Sequence, residues 1–182
     1  MKKAYIHFAE GFEEIEALTI VDVLRRAEIS AQMISVTGKL EVAGAHGITV
    51  KTDLLFEDTD YDEADILILP GGMPGSNNLN AHDGLKLQLR KFNDENKPLG
   101  AICAAPLVLG GLQILKGKDA VCYPGFENTL TGAKVGTEPA VRSGNVVTGR
   151  GPGTALKFSL EIVKMLKGED LAKNLANALI AN

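Results

Sequence analysis

Tryptophan is missing from this 182-residue chain, and other aromatics are scarce, with three tyrosines and six phenylalanines. Because 45% of the residues are hydrophobic, the core must be aliphatic, and twenty glycines point to many tight turns. Lysine and arginine never cluster beyond two consecutive residues, and the formal net charge is −4. A nucleic-acid binder needs a basic stripe to neutralise phosphates, so nucleic acid is excluded as a partner. No apolar run approaches the roughly 18 residues of a membrane span, so no membrane partner is expected. Two cysteines, Cys103 and Cys122, are too few for a disulfide framework in a chain this size. Both read as free thiols, which implies a reducing cytoplasm. No pair of cysteines or histidines has zinc-ligand spacing, and neither a dinucleotide fingerprint nor a Walker spacing occurs. No metal and no organic cofactor are therefore expected.

What is present is an alternation of elements. Ala4 to Phe8, Gln32 to Val36, Ile66 to Leu69, Leu99 to Ile102 and Val146 to Thr148 read as strands. Several are continuous aliphatic runs, as expected of a parallel sheet covered on both faces. Helical patterns occupy Glu13 to Glu28 and Gly84 to Asn93, with others after Ala104 and Pro152. In the last of these, Pro152 can open a helix because its missing N–H would be unpaired anyway. Ala155, Phe158, Ile162 and Leu166 follow at helical spacing; Gly168 ends that helix, and Glu169-Asp170 begin another. Val42 to Thr52 and Val121 to Val141 break the rhythm and read as hairpin-type insertions or edge strands. Met1-Lys2-Lys3 runs straight into the first strand and is not read as a signal peptide. The pattern predicts one domain, residues 1–182, with a doubly wound α/β sandwich.

Three features carry chemistry. Cys103 sits in Ala101-Ile102-Cys103-Ala104-Ala105, between a buried strand and a helix opened by Pro106. A nucleophile on such a corner needs small residues two positions either side, and Ala101 and Ala105 meet that need. The helix N-terminus is expected to lower the thiol's pKa. The second feature is Glu16. At 100° per residue, Glu14, Asp22, Arg25 and Arg26 share a polar arc, whereas Glu16 projects between Ile20 and Val23 on the apolar one. Desolvation there raises a carboxyl's pKa, so Glu16 is a candidate to share a proton with the cysteine. Third, Pro70-Gly71-Gly72 follows an aliphatic strand, at the sheet edge where ligand sites of open α/β sheets gather. Backbone N–H groups of Gly72 and Ala104 could form an oxyanion-type pocket beside Cys103. Cys122, in an apolar run, reads as a buried inert thiol.

The segments Ala9 to Glu16, Val21 to Arg26, Leu69 to Gly72, Ala101 to Pro106 and Arg150 to Thr154 jointly resemble the ThiJ/PfpI family, in particular its DJ-1 branch. The resemblance implies a flavodoxin-like sandwich with a mostly parallel central sheet, and a homodimer. It matches Cys103 to an oxidation-sensitive nucleophile, Glu16 to its protonated acid, and Gly72 and Ala104 to the backbone donors; Gly71, Tyr123 and His46 are candidates to line the site. One position departs. Many members carry a histidine where this chain has Tyr123, in Cys122-Tyr123-Pro124. A phenol with a pKa near 10 is a poor base at neutral pH, although it can orient a substrate. His7 and His82 read as structural or surface residues. His46, in a glycine-flanked turn, stands where relatives often have arginine near the dimer contact.

The resemblance implies a cysteine-dependent enzyme acting on small carbonyl substrates, of glyoxalase or protein-deglycase type. The alternative is a non-enzymatic redox sensor or redox-regulated chaperone that uses oxidation of Cys103. Amidase chemistry ranks lower, and intracellular peptidase chemistry lowest because Tyr123 replaces histidine.

Overall fold

The computed structural model describes residues 1–181. A seven-stranded sheet runs through it in the order β10-β11-β7-β6-β1-β2-β5. These strands are β1 (Lys3–Phe8), β2 (Ser30–Ser35), β5 (Leu54–Leu55), β6 (Ile66–Leu69), β7 (Leu99–Ile102), β10 (Ala140–Ser143) and β11 (Val146–Gly149). All neighbours pair in parallel except β10, which runs antiparallel to β11 at one edge. The expected flavodoxin-like sandwich with a mostly parallel sheet is therefore the fold observed.

The aliphatic runs follow from burial on both faces. In β6, Ile66 and Ile68 join one apolar cluster, whereas Leu67 and Leu69 join the other. On the first face lie α1 (Glu14–Arg26), α5 (Ala155–Lys167) and α6 (Glu169–Ala178). There Ile20 and Leu24 of α1 belong to the same cluster as Phe158 and Ile162 of α5. The opposite face carries α2 (Gly75–Ala81), α3 (Asp83–Asp94) and α4 (Pro106–Gly111), with Leu85, Leu89, Phe92 and Val108 packed inward. Every one of these side chains is at most 2% exposed, so each contributes roughly 1.5–3 kcal/mol of apolar burial.

Both segments that break the rhythm are insertions. Within the first, β3 (Glu41–Ala43) and β4 (Thr49–Lys51) form an antiparallel hairpin. In the second, β8 (Asp119–Ala120) and β9 (Lys134–Val135) pair in parallel, and β10 reaches the main sheet. Cys122 is buried as expected, but it lies in the loop after β8 and outside any strand. Pro152 opens a 3₁₀ turn, Pro152–Thr154, ahead of α5. The periodicity gives no hint of α2, whose Gly-Ser-Asn-Asn start is poor in helix formers. Its first turn is secured from outside, since Gly75 N–H donates to the Gly11 carbonyl at 3.1 Å. His7 and His82 are both structural: His7 contacts the Ile68 carbonyl and the Tyr61 hydroxyl, and His82 caps α3 by accepting from Leu85 N–H. No helix of the described residues is long and apolar enough to cross a membrane.

Candidate active site

Cys103 follows β7 directly and adopts φ 64°, a left-handed conformation that costs a non-glycine residue about 1–3 kcal/mol. Neighbouring backbone holds it there. Its N–H donates to Gly149 O at 2.9 Å, and its carbonyl accepts from Tyr123 N–H at 2.8 Å. Ala101 and Ala105 are fully buried, so the small residues two positions either side do let the chain fold tightly. Cys103 as a whole is 8% exposed. Backbone N–H groups of Gly72 and Ala104 approach the sulfur and favour its charged form.

Glu16 is fully buried on the sheet side of α1, as its place on the apolar arc predicts. One carboxylate oxygen, Oε2, accepts from Gly71 N–H at 2.8 Å. The other, Oε1, makes no hydrogen bond of ordinary geometry. Gly71 forms the contact between acid and thiol. A Cβ placed on it would lie 2.6 Å from both the Cys103 Cβ and the Glu16 Oε2, so only glycine fits. Gly72 is equally constrained, with φ 92° and a Cβ position 2.4 Å from Glu13 N. The sequence marks Gly71 as a lining residue alone; its role as donor to the acid depends on where α1 docks, which no local pattern reveals.

The electrostatics correct one expectation. The Cys103 thiol is not lowered but pushed up to about 12, first by burial and then by the adjacent Glu16 charge, against the Gly72 and Ala104 N–H groups. A six-residue α4 offers too short a dipole to overcome those terms. Burial also pushes Glu16 up, to about 7, opposed by its hydrogen bonds with Cys103 and Gly71 and reinforced by the nearby Glu13 charge. Both groups are raised, each by burial first, so the pair retains a proton at neutral pH. Such protons belong to the pair and not to either residue. Donors approach both groups, the Gly72 and Ala104 N–H groups at the sulfur and the Gly71 N–H at the carboxylate, so the charged form of either finds a partner in the site.

Tyr123 is tied to the elbow by its backbone, its ring is half-exposed, and it lies against Gly151. His46 is not brought to Cys103. The β3–β4 turn carries it over the start of α1, where its Nδ1 lies 2.9 Å from Glu14 Oε2 and 3.7 Å from Glu13 Oε2. Glu14, placed on the polar arc by periodicity, is in fact buried, because this turn covers it. Its Oε1 accepts from His46 N–H at 2.8 Å, and Gly44 leaves room for it. Burial alone would raise Glu14, but these hydrogen bonds prevail and hold it below the ordinary glutamate value. Glu13, Glu14 and His46 bring donor atoms within 4.8 Å of one another, a grouping that could accept a cation. Glu14 is already occupied by the ring and the turn.

A parallel α/β sandwich with a cysteine on a strand-to-helix elbow, backed by a buried acid and two amides, defines a thiol-centred site at the sheet's carboxyl edge. The chain belongs to the DJ-1/PfpI family, whose model matches residues 2–165. It is 35% identical over 176 residues to protein DJ-1 homolog B of Arabidopsis thaliana, covering 96% of this chain but 40% of that protein. The chain thus spans less than half the length of that relative. A deglycase of Pyrococcus abyssi is 33% identical over 162 residues, with 87% of this chain and 96% of that protein covered. Oxidized DJ-1 of Toxoplasma gondii superposes with a TM-score of 0.95 at 32% identity, covering 99% of this chain and 98% of that one.

Proposed function

We propose that this protein is a cysteine-dependent enzyme acting on small reactive carbonyls. The observation that carries the reading is the fully buried Glu16 carboxyl set against Cys103 across Gly71, with the cysteine on a left-handed elbow. In that scheme the Cys103 thiolate adds to the aldehyde carbon of an α-oxoaldehyde such as methylglyoxal. The Gly72 and Ala104 N–H groups hold the oxygen that gains charge. Glu16 then moves a proton from the former aldehyde carbon to the neighbouring carbon, which leaves a thioester of the 2-hydroxy acid. Water hydrolyses the thioester and frees the thiol. The relationship to a protein named as a deglycase supports carbonyl chemistry, although a comparably similar protein of Bacillus subtilis is named as a cysteine protease; the tyrosine at position 123 favours the former here.

A second reading keeps the same residues without turnover. A sulfur cradled by amides beside a protonatable acid can stabilise a sulfinate, and one similar structure is of an oxidized DJ-1. The test is lactate formation from methylglyoxal. Turnover in the wild type that disappears in Cys103→Ser supports the enzyme. Turnover surviving that substitution contradicts it, and no turnover at all, with two oxygens gained at Cys103 under peroxide, favours the sensor. We propose further that the chain forms a homodimer through α1 and the hairpin turn, where Ile15, Leu18 and Ile48 are exposed.

A further inference from the structure

Tyr123 takes no part in the proton and carbonyl steps above, yet its backbone is fastened to the nucleophile. The loop after β8 runs past the elbow in the manner of an extra strand. Val121 N–H donates to Thr148 Oγ1 at 2.9 Å, and Tyr123 N–H donates to the Cys103 carbonyl at 2.8 Å. Alternate N–H groups thus point toward the ends of β11 and β7. Side chains of a segment held this way point to opposite faces in turn. Cys122 joins the apolar cluster on the face of α2, α3 and α4. Tyr123 turns to the other face, where Cys103 belongs to the same cluster as residues of α1 and α5.

The ring's resting place agrees. It lies against Gly151, just ahead of α5, where a Cβ would stand 3.1 Å from the ring Cδ2 and 3.6 Å from Cε2. Gly151 therefore backs the ring closely because it has no side chain. The residue is still 46% exposed, so the remainder of the ring is open. A tyrosine anchored by its backbone and backed on one side offers flat apolar area at low entropic cost.

We propose that Tyr123 is the specificity-determining residue of this site, its ring stacking on an aryl or other flat apolar substituent of the compound whose reactive carbon meets Cys103. For substrates, this rests on the carbonyl reading above and favours aryl-substituted α-oxoaldehydes over methylglyoxal. The ring carries the preference and the hydroxyl does not, because stacking is a contact between faces.

The experiment compares two alkylating reagents of one chemistry, iodoacetamide and its N-phenyl analogue. Each gives its carbamoylmethyl carbon to the thiolate and releases iodide. Peptide mass scores Cys103 apart from Cys122, and glutathione supplies the intrinsic ratio of the two reagents. Only the ratio is read, so a general change in thiol reactivity cancels. Wild-type Cys103 should favour the N-phenyl reagent by about fivefold over glutathione, the worth of one aromatic pair. Tyr123→Phe should keep that preference, and Tyr123→Ala should lose it. The kcat/KM ratio of phenylglyoxal to methylglyoxal should likewise fall about fivefold in Tyr123→Ala and hold in Tyr123→Phe. No preference in the wild type overturns the proposal, and so does a preference that survives Tyr123→Ala. Equal losses in the Phe and Ala variants would assign the effect to the hydroxyl and overturn it too. Alkylation ratios that follow the ring without any carbonyl turnover sink the enzyme and leave the ring's role standing. Methylglyoxal turnover with ratios indifferent to Tyr123 does the reverse.

Discussion

Glu14 and Glu16 lie two residues apart on one helix, both buried, and they do opposite things. Glu14 is surrounded by donors: the His46 ring and N–H on one side and the Ile48 N–H at 3.4 Å. Its charge is satisfied, and its pKa falls. Glu16 receives one donor, keeps one bare oxygen and rises to about 7. Both side chains are shielded from solvent, but Glu16 lies much deeper and receives fewer donors. Depth of burial and the number of donors supplied to the charged form together decide the outcome. The first carboxylate fastens a hairpin, and the second is poised to exchange a proton.

The largest test of that contrast is Glu16→Gln. An amide keeps the Gly71 hydrogen bond but carries no exchangeable acid, so carbonyl turnover should fall by about 10²–10⁴-fold. Stability should move the other way. A group whose folded pKa is raised loses its stabilising contribution as pH climbs from its ordinary 4.5 through 7. Glu16→Gln should therefore gain on wild type in Tm as pH rises across that window, with no gain near pH 4. Gly71→Ala comes next. It forces a methyl between acid and thiol and should cost about 1–3 kcal/mol by overpacking. Denaturant unfolding reads that loss, and Cys103 alkylation reads the separation of the pair. The smallest effect is expected from Glu14→Gln, which weakens a charge-assisted clip and costs about 1 kcal/mol. Hydrogen exchange of residues 44–48 should then quicken while Cys103 chemistry persists. In wild type the same exchange should quicken as pH rises through the raised His46 value or falls through the lowered Glu14 value.

The contrast also marks how far the sequence could be read. Aliphatic runs such as Ile66 to Leu69 disclose a doubly covered sheet, because each strand must satisfy two faces. Glu16 is legible because one helix places it by angle alone. Glu14 is not legible: a hairpin some thirty residues on covers it, and helical periodicity describes only the helix's own sides. The thiol's raised pKa escaped for a related reason. The local elbow points to a helpful dipole, but burial and the Glu16 charge, which arrives from a distant helix, outweigh it. Likewise α2 depends on Gly11 across the edge of the sheet and not on its own composition.

The central claim is that Glu16 keeps its proton to neutrality. Carbon-13 NMR of glutamate-labelled protein, with the Glu16 carboxyl assigned by its loss in Glu16→Gln, measures this directly. A titration midpoint near 7 is the expected result. A midpoint at the ordinary 4.5 would leave Cys103 beside a plain carboxylate and contradict the account.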